Sequence, residues 1–353
     1  VFFFVVGLEI KRELLVGELK SRRSATLPIA GALGGMVVPA LIFLVLNAGS
    51  PAARGWGIPM ATDIAFALGI LALLGSRVGL PLKIFLLALA IVDDLGAVLV
   101  IAVFYTDQLD VLSLLLAGAA WAGALAYGRY GAARPLGYAL IGAVMWYFML
   151  KSGVHATVAG VLMAVTVPLR HTLTSDELQE ELQPVLGQQA DGFEEVEVAI
   201  ERLEGVLDRA HSPLHSMEHA LTPIVAFVIM PIFAFFNAGV AIAGGDVSIT
   251  GAVSVGVLLG LIVGKPVGIL LFASLAVRSG LTDLPDGATW MGMIGVALLA
   301  GIGFTMSLFI AGLAFGPGPA LDEAKLGILA ASVVAAVVGL VFLSRSLPRD
   351  QPT

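Results

Sequence analysis

Two adjacent aspartates, Asp93 and Asp94, stand inside the apolar run LAIVDDLGAVL at residues 89–99. Two further ionisable side chains lie in apolar runs: Asp63 in GWGIPMATDIAFALG and Lys265 in LIVGKPVGILLF. An ionised side chain near the centre of a bilayer costs about 2.5–3.5 kcal/mol even on lenient insertion scales, so it persists where it faces a cavity, an ion or a partner. Neighbouring helical residues project about 100° apart, so the two adjacent aspartates address different sides of their surroundings. These four residues are the candidates for chemistry.

The chemistry open to buried carboxylates is the binding of hard cations or of protons. Carboxylate oxygens are ligands for hard cations, and removal from water favours the protonated form of a carboxyl group. If a cation and protons need the same oxygens, occupancy by one expels the other, which is the physical basis of exchange. The sequence favours an alkali cation over a transition metal, because it has no cysteine, no HExxH motif and no pair of histidines one turn apart within a predicted span. The alternative is that these charges only fasten helices together through hydrogen bonds or ion pairs.

Composition indicates that the surroundings are a lipid bilayer. Hydrophobic residues make up 58% of the chain and charged residues 13%, and the mean hydropathy is +0.98, far from the averages of soluble proteins. A spanning helix needs about 20 apolar residues. Residues 1–10 are predicted to be the second half of a further span, since a signal peptide would have its charges before the apolar run rather than after it. The sequence predicts ten full spans, at 26–47, 57–76, 82–105, 111–128, 135–150, 153–169, 218–243, 250–277, 289–315 and 323–344.

The basic residues give an independent test of this topology. In alternate loops between the predicted spans there are fifteen lysines and arginines, against three in the other loops, and the remaining one is Lys265. Basic residues collect in the cytoplasmic loops of membrane proteins, so the side with fifteen is predicted to be cytoplasmic.

The net charge of −7 comes from one segment, residues 171–210, which holds eleven acidic and two basic residues. Thr174–Glu177 has the spacing of a capping box, and the segment is predicted to be an acidic cytoplasmic helical hairpin broken near Pro184–Gly187. Two interpretations stay open: a solvated segment that lies on its own protein, or a regulatory, partner-binding one.

Two stretches are predicted to interrupt membrane helices. The first is GIPMATD at 57–63, which contains Pro59, and the second is GIGFTMS at 301–307, which contains Gly301, Gly303 and Thr305. Irregular backbone at membrane depth is tolerated only where it lines a cavity or is buried in protein.

Each interruption falls in the second of three spans of a possible repeat, 26–105 and 250–344. Paired interrupted spans of this kind are typical of inverted-repeat transporters. The ends of the half-helices carry partial charges of both signs, and Asp63 and Lys265 are placed to neutralise one sign each.

These motifs resemble one known family. The segments GLEIKREL, ATDIAFALG, LLGSRVGLPLKIFLLALAIVDDLGA, KSGVHATVAGV, FAFFNAGV, GKPVGI and GIGFTMSLFIA are similar to those of the NhaA family of bacterial sodium/proton antiporters. The resemblance covers nearly the whole chain outside 171–210. That family is itself among the transporters in which paired broken helices and inverted repeats are known, so the two arguments are not independent.

The resemblance implies an all-α polytopic membrane protein, an inverted-repeat transporter with two broken, crossing helices, and a single antiporter domain over residues 1–353 that is truncated at its N-terminus. It implies that Asp94 is the essential cation and proton site, with Asp93 beside it, so that both would hold the sodium or lithium ion. Thr62 and Asp63 would lie at the crossing. Lys265 would pair with Asp93 as a charge compensator, a proton carrier, or both.

By the same resemblance, a set of polar residues at the ends of spans matches the residues of the family that respond to pH. Thr222 stands where the family pattern has a second histidine. The resemblance further implies the bacterial inner membrane, no cofactor beyond the transported ions, and a homodimer for the full-length protein. The residues matched to the pH response are Glu9, Arg12, Glu13, His155, Glu218 and His219.

The sequence therefore favours a secondary antiporter, not an enzyme, that exchanges cytoplasmic sodium or lithium for external protons by alternating access and is regulated by pH. A passive cation channel is the main alternative, although channels are usually symmetric assemblies. An intramembrane aspartyl hydrolase is disfavoured, because Gly245-Asp246 is preceded by Ala243 where such enzymes have the first glycine of GxGD. No basic patch interleaved with aromatic residues indicates nucleic acid.

Overall fold

The computed structural model describes residues 1–106, 109–130, 134–169, 183, 212–240 and 248–347. Across these ranges every regular element is a helix, and no strand occurs among them. The predicted all-helical class is therefore confirmed. The acidic segment 171–210 lies outside the described residues apart from residue 183, so its helical hairpin stays a prediction.

The α-helices are numbered here in chain order. They are α1 (Phe2–Leu15), α2 (Arg22–Leu46), α3 (Ile64–Ala72), α4 (Leu80–Phe104), α5 (Val111–Arg129), α6 (Pro135–Lys151), α7 (Thr157–Thr166), α8 (Pro213–Ile224), α9 (Met230–Asn237), α10 (Ala252–Leu259), α11 (Lys265–Arg278), α12 (Trp290–Ala300), α13 (Phe304–Phe315) and α14 (Pro319–Ser346).

Seven described helical segments are long and apolar enough to cross a membrane, and the bent pair of α12 and α13 makes an eighth if it counts as one span. The predicted spans 135–150 and 153–169 correspond to α6 and α7, which are apolar but have only 17 and 10 residues. At 1.5 Å per residue, α7 is about half as long as the hydrocarbon core is thick. A count of ten full spans therefore stays a prediction. The seven segments are Arg22–Leu46, Pro51–Ala72, Leu80–Phe104, Val111–Arg129, Pro213–Asn237, Ala252–Arg278 and Pro319–Ser346.

Helix α1 continues beyond the apolar run with which the chain begins. The helix extends to Leu15, past the apolar run of residues 1–10 predicted to be half of a span, because charged residues end an apolar stretch without ending a helix. Lys11 donates to the carbonyl oxygens of Val165 and Val167 at the end of α7, so its charge meets the negative end of a helix dipole.

The chain divides into two compact units, one formed by Val1–Arg12 and Gln108–Val225 and the other by Glu13–Asp107 and Ala226–Thr353. In the first unit, α1, α5, α6, α7 and α8 share a core that includes Leu8, Met145 and Leu214. Helix α5 begins after Asp110, whose carboxylate accepts bonds from the Ser113 hydroxyl and from the N–H groups of Leu112 and Ser113. These bonds, the hydroxyl bond first, lower the pKa of Asp110.

Among the described residues, six segments long and apolar enough to cross a membrane lie wholly in the second unit, in two groups of three. The first group is α2, the segment Pro51–Ala72 and α4, and the second is Ala252–Arg278, the bent pair α12–α13 and α14. Helices α2 and α11 meet backbone to backbone, since a Cβ atom on Gly34 would lie 2.1 Å from the carbonyl oxygen of Gly268, and one on Gly268 equally close to that of Gly34.

The middle segment of each group is interrupted. Pro51–Met60 is a 3₁₀ helix, Ala61–Asp63 is extended or irregular, and α3 follows from Ile64. In the second group the helix stops at Ala300, resumes at Phe304 and bends by 44°. These are the two places where the sequence predicts irregular backbone.

Two π-helical turns, Val225–Ile229 and Gly260–Gly264, are features that the sequence reasoning missed. Each comes just before a proline, in Met230-Pro231 and Lys265-Pro266. A proline ring inside an α-helix clashes with the carbonyl group four residues earlier, and a π turn widens the helix at that point. The second π turn ends at Gly264, immediately before Lys265.

Candidate functional site

The ionisable residues singled out in the second unit are buried. Asp63, Asp93 and Asp94 are each about 1% exposed, and Lys265 is fully buried. Asp93 and Asp94 lie midway along α4, Asp63 precedes α3, and Lys265 begins α11. Three segments distant in sequence therefore bring four formal charges into one apolar region, where unpaired charges are costly.

Lys265 connects two of these segments by direct bonds. Its Nζ atom lies 2.6 Å from Oδ2 of Asp93, and the ion pair is almost completely buried. The same Nζ donates to the carbonyl oxygen of Met60, the last residue of the 3₁₀ helix. The ammonium group thus compensates both a carboxylate and the negative end of a helical segment.

Asp63 places a negative charge at the positive N-termini of two helices. Its Oδ1 accepts the N–H of Phe66 in α3 at 3.1 Å, and its Oδ2 accepts the N–H of Thr305 in α13 at 3.0 Å as well as the Thr305 hydroxyl. N–H groups in the first turn of a helix have no partner within the helix and carry partial positive charge. One carboxylate therefore neutralises the starts of both half-helices.

The two interruptions are hydrogen-bonded to each other. The Asp63 N–H donates to the carbonyl oxygen of Ile302 at 2.7 Å, and the Thr62 hydroxyl donates to that of Ala300 at 3.0 Å. Each break thus satisfies backbone groups that the other leaves open, as non-helical backbone at membrane depth requires. Below them, the Ser307 hydroxyl donates to the carbonyl oxygen of Ile58 at 2.8 Å.

Asp94 adjoins this network. It follows Asp93 in α4 and lies close enough to Lys265 to interact with its charge. Asp93 in turn lies beside Thr62. The assembled groups are carboxylates, hydroxyls, backbone carbonyls and one ammonium, a set that offers only oxygen ligands and therefore suits a hard cation.

Comparison with known proteins decides the family. The family model described as "Na+/H+ antiporter 1" matches residues 1–343. The chain belongs to the NhaA family of sodium/proton antiporters. The Na(+)/H(+) antiporter NhaA of Koribacter versatilis (strain Ellin345) is 52% identical over 353 residues, covering 98% of this chain and 77% of the relative. The protein of the same name from Bordetella parapertussis is 49% identical, covering 99% of this chain and 81% of the relative. The one from Oleidesulfovibrio alaskensis is also 49% identical, covering 100% of this chain and 80% of the relative.

The residues that the motif resemblance predicts for the cation and proton site lie in this network or next to it. Thr62, Asp63, Asp93, Lys265 and Thr305 make the direct bonds or close contacts just described, and Asp94 is adjacent. Pro59 lies in the 3₁₀ helix and packs closely against Gly260, since a Cβ atom added to Gly260 would lie 2.6 Å from the Cβ atom of Pro59. Gly301 and Gly303 form the second break. Among the described residues, no group of three or more histidines, aspartates or glutamates is arranged to hold a metal ion.

Three of the residues that the resemblance assigns to the pH response make bonds that can be described one by one. In the first unit, Arg12 Nε lies 3.0 and 3.1 Å from the two carboxylate oxygens of Glu218. Glu13 belongs to the other unit, is 5% exposed and accepts the N–H of Glu18 at 3.1 Å. The remaining three residues of this set lie on α1, in the link between α6 and α7, and on α8: Glu9, His155 and His219.

One sequence expectation needs correction on α8. This helix begins at Pro213, five residues before the predicted span, so the membrane-crossing segment Pro213–Asn237 includes both His215 and His219. Their ring centroids are 6.4 Å apart. The predicted span 218–243 contains only His219, whereas the helix carries both histidines, because Pro213 opens it before that span.

The sequence does not predict that the Met60 carbonyl oxygen, the Ser307 hydroxyl, which belongs to the predicted interruption 301–307, or the Ser332 hydroxyl, which accepts the N–H of Phe304, has a partner in another element. The residue type of Met60 cannot indicate that its backbone carbonyl is a partner, because every residue has such a carbonyl. The two serines could have been suspected only as hydroxyls in apolar surroundings, which is a weak signal because such serines often bond back to their own helix.

Proposed function

We propose that this chain exchanges cytoplasmic sodium or lithium ions for external protons by alternating access, and that Asp94 and Asp93 are the groups for which the cation and the protons compete. The observation that carries the proposal is the buried Asp93–Lys265 ion pair, with Asp94 next to it, beside two mutually bonded helix breaks. A buried pair of this kind is weak as a stability device. A cation of the same charge can, however, take the place of the ammonium group beside Asp93.

The first step is cation capture from the cytoplasm. Asp94 loses its proton and supplies the primary carboxylate, while Asp93 and the Thr62 hydroxyl add oxygen ligands. Because Lys265 occupies Oδ2 of Asp93, the entering cation takes over from the ammonium as the partner of that carboxylate. The site's total charge then changes little when a cation binds, which limits the desolvation cost.

The return step is the rebinding of protons from outside. Asp94 takes one proton, and a second is carried by either Asp93 or Lys265, so more protons than cations move in each cycle. The Lys265–Asp93 pair supports both alternatives, because displaced Lys265 can release its proton and displaced Asp93 can accept one.

Asp63 keeps the scaffold of the site electrically neutral. Its carboxylate holds the N-terminal N–H groups of α3 and α13, and these bonds do not involve the two carboxylates that change partners. We assign it a positioning role. The same contacts support a crossing of the two broken segments, with residues 26–105 and 250–344 as inverted repeats that rock around a fixed site.

Further parts of the proposal follow from membership of the family. The Arg12–Glu218 pair supports a role for this end of α1 and α8 in the pH response, with Glu9, Glu13, His155 and His219 as further contributors. The protein acts in the bacterial inner membrane, and the full-length form is a homodimer.

The decisive experiment is Asp94→Asn, assayed in everted membrane vesicles for proton release on addition of sodium. We expect the exchange to be abolished, because a neutral amide can neither bind and release the proton nor supply the charge for the cation. Asp110→Asn is the matched control, since it is an exposed aspartate outside the site, and it should exchange as the original protein does. Retained exchange in Asp94→Asn would contradict the proposal, and a sodium flux that neither saturates nor moves protons would indicate a channel.

A further inference from the structure

Helix α14 contacts the second break through one buried hydroxyl. Ser332 is 7% exposed, and its Oγ accepts the N–H of Phe304 at 3.1 Å. Phe304 is the first residue of α13. Its N–H group therefore has no partner within its own helix, and a buried backbone donor without a partner is costly.

The start of α13 thus receives two caps from two different elements. Ser332 accepts the N–H of Phe304, and Asp63 accepts the N–H of the next residue, Thr305. Two caps on successive N–H groups fix both the position and the direction of a helix start more closely than one does. The Thr305 hydroxyl that bonds to Asp63 is carried on the same turn.

Ser332 and Asp93 occupy matching places in their halves of the second unit. Each lies on the helix that follows an interrupted segment, and each is the fourteenth residue of that helix, counted from Leu80 in α4 and from Pro319 in α14. Each also reaches the break of its own half: Asp93 lies beside Thr62, and Ser332 bonds to Phe304. One half therefore presents a carboxylate at this place and the other a neutral hydroxyl.

We propose that Ser332 is a positioning residue of the cation site: its hydroxyl fixes the start of α13, and through Thr305 it holds Asp63 and the neighbouring break in the geometry that binds the ion. A neutral acceptor suits this place, because a second carboxylate here would compete with Asp63 for the same helix start. The inference rests on the proposed function.

The test compares Ser332→Ala with Ser332→Thr. Alanine removes the acceptor, and threonine keeps it. Ser344→Ala is the matched control, since Ser344 lies on the same helix and its hydroxyl donates to the Val341 carbonyl oxygen of that helix. In vesicles, we expect Ser332→Ala to raise the apparent KM for sodium by about three- to tenfold, the effect of one lost cap, and Ser332→Thr to stay within about twofold of the original protein.

Hydrogen exchange of the peptide that contains residues 301–308 provides a readout independent of transport. We expect the Phe304 amide to exchange faster in Ser332→Ala than in the original protein, and Ser344→Ala to leave it unchanged. If Ser332→Ala does not fold, Ser332→Cys replaces it, because a thiol is a weak acceptor of similar size.

The outcomes separate this inference from the proposed function. An unchanged KM, or a raised KM without faster Phe304 exchange, in an original protein that does exchange sodium for protons would overturn the role of Ser332 alone. If the original protein shows no exchange at all, the proposed function fails, whatever the amide of Phe304 does.

Discussion

At the scale of single residues, the Asp93–Lys265 pair is the feature with the sharpest energetic consequence. Both side chains are almost fully buried, so removing either one leaves an uncompensated charge in an apolar region. Breaking a buried pair in this way typically costs about 3–5 kcal/mol, whereas removing both charges together costs much less.

We therefore expect Lys265→Gln and Asp93→Asn each to lower thermal stability in detergent, and the double variant Asp93→Asn/Lys265→Gln to be more stable than either single variant. The reason is that each single variant leaves one member of the pair buried without its partner, whereas the double variant removes both members. Thermal unfolding of the four proteins forms a complete cycle and is the appropriate measurement. Strictly additive losses would mean that the two groups do not interact, contrary to the 2.6 Å contact.

The same residues show how far sequence reasoning extends. The presence of four intramembrane charges follows from the sequence, since each stands out in an apolar run. The pattern alone leaves their partners open, and only the resemblance to the NhaA family implied that Lys265 pairs with Asp93. That Asp63 holds two helix starts depends on Phe66 and on Thr305, which is 242 positions away, so no local pattern could reveal it.

At the scale of elements, the contact between α2 and α11 is the least tolerant of change. A Cβ atom on Gly34 would lie 2.1 Å from a backbone oxygen and 2.7 Å from the carbonyl carbon of Gly268. Backbone atoms on a packed helix cannot move aside as a flexible side chain can. The absence of side chains is what allows these two helices to approach so closely.

We accordingly expect Gly34→Ala to separate α2 from α11 and to lower thermal stability strongly, by more than the roughly 1 kcal/mol that alanine gains over glycine inside a helix. Gly118→Ala on α5 is the matched control, because nothing lies within 4 Å of its Cβ position, and it should be neutral or stabilising. The midpoint temperatures of the two variants measure the difference. Equal stability would show that α2 and α11 are not in direct backbone contact.

Element boundaries illustrate which local signals carry reliable information. The interruptions at 57–63 and 301–307 are visible as proline, glycine and hydroxyl residues in apolar runs. The π turns are less visible, because a proline in a membrane helix is compatible with a kink, a break or a wider turn. The early start of α8 at Pro213 was missed for a similar reason, since the polar residues of its first turns resemble a loop.

At the scale of the whole molecule, the proposed exchange requires that cation binding expel protons. Such competition makes the apparent affinity for sodium depend on pH, with a slope that counts the protons displaced. The apparent KM for sodium should rise as pH falls, because protons then hold the carboxylates.

We expect this rise to be about tenfold per pH unit if one proton is displaced, and steeper over part of the range if a second proton leaves with it. Sodium titrations in vesicles at several pH values, repeated with Lys265→Gln, would show whether the second proton belongs to that lysine. A shallower slope in Lys265→Gln assigns the second proton to Lys265, and an unchanged slope assigns it to Asp93. A KM that does not change with pH would contradict competition altogether.

The sequence by itself indicated a membrane protein, the charges in its apolar runs and the two interruptions, and it predicts which side is cytoplasmic. These properties depend on composition and on residues close together in the chain, because a bilayer selects apolar length and loop charge locally. Only the tertiary structure decided that Lys265 serves both Asp93 and Met60, that Asp63 caps α3 and α13 together, and that Ser332 completes the start of α13. Each of these depends on where distant segments meet, and the free energy of a buried polar group is set by the partner that stands beside it in space.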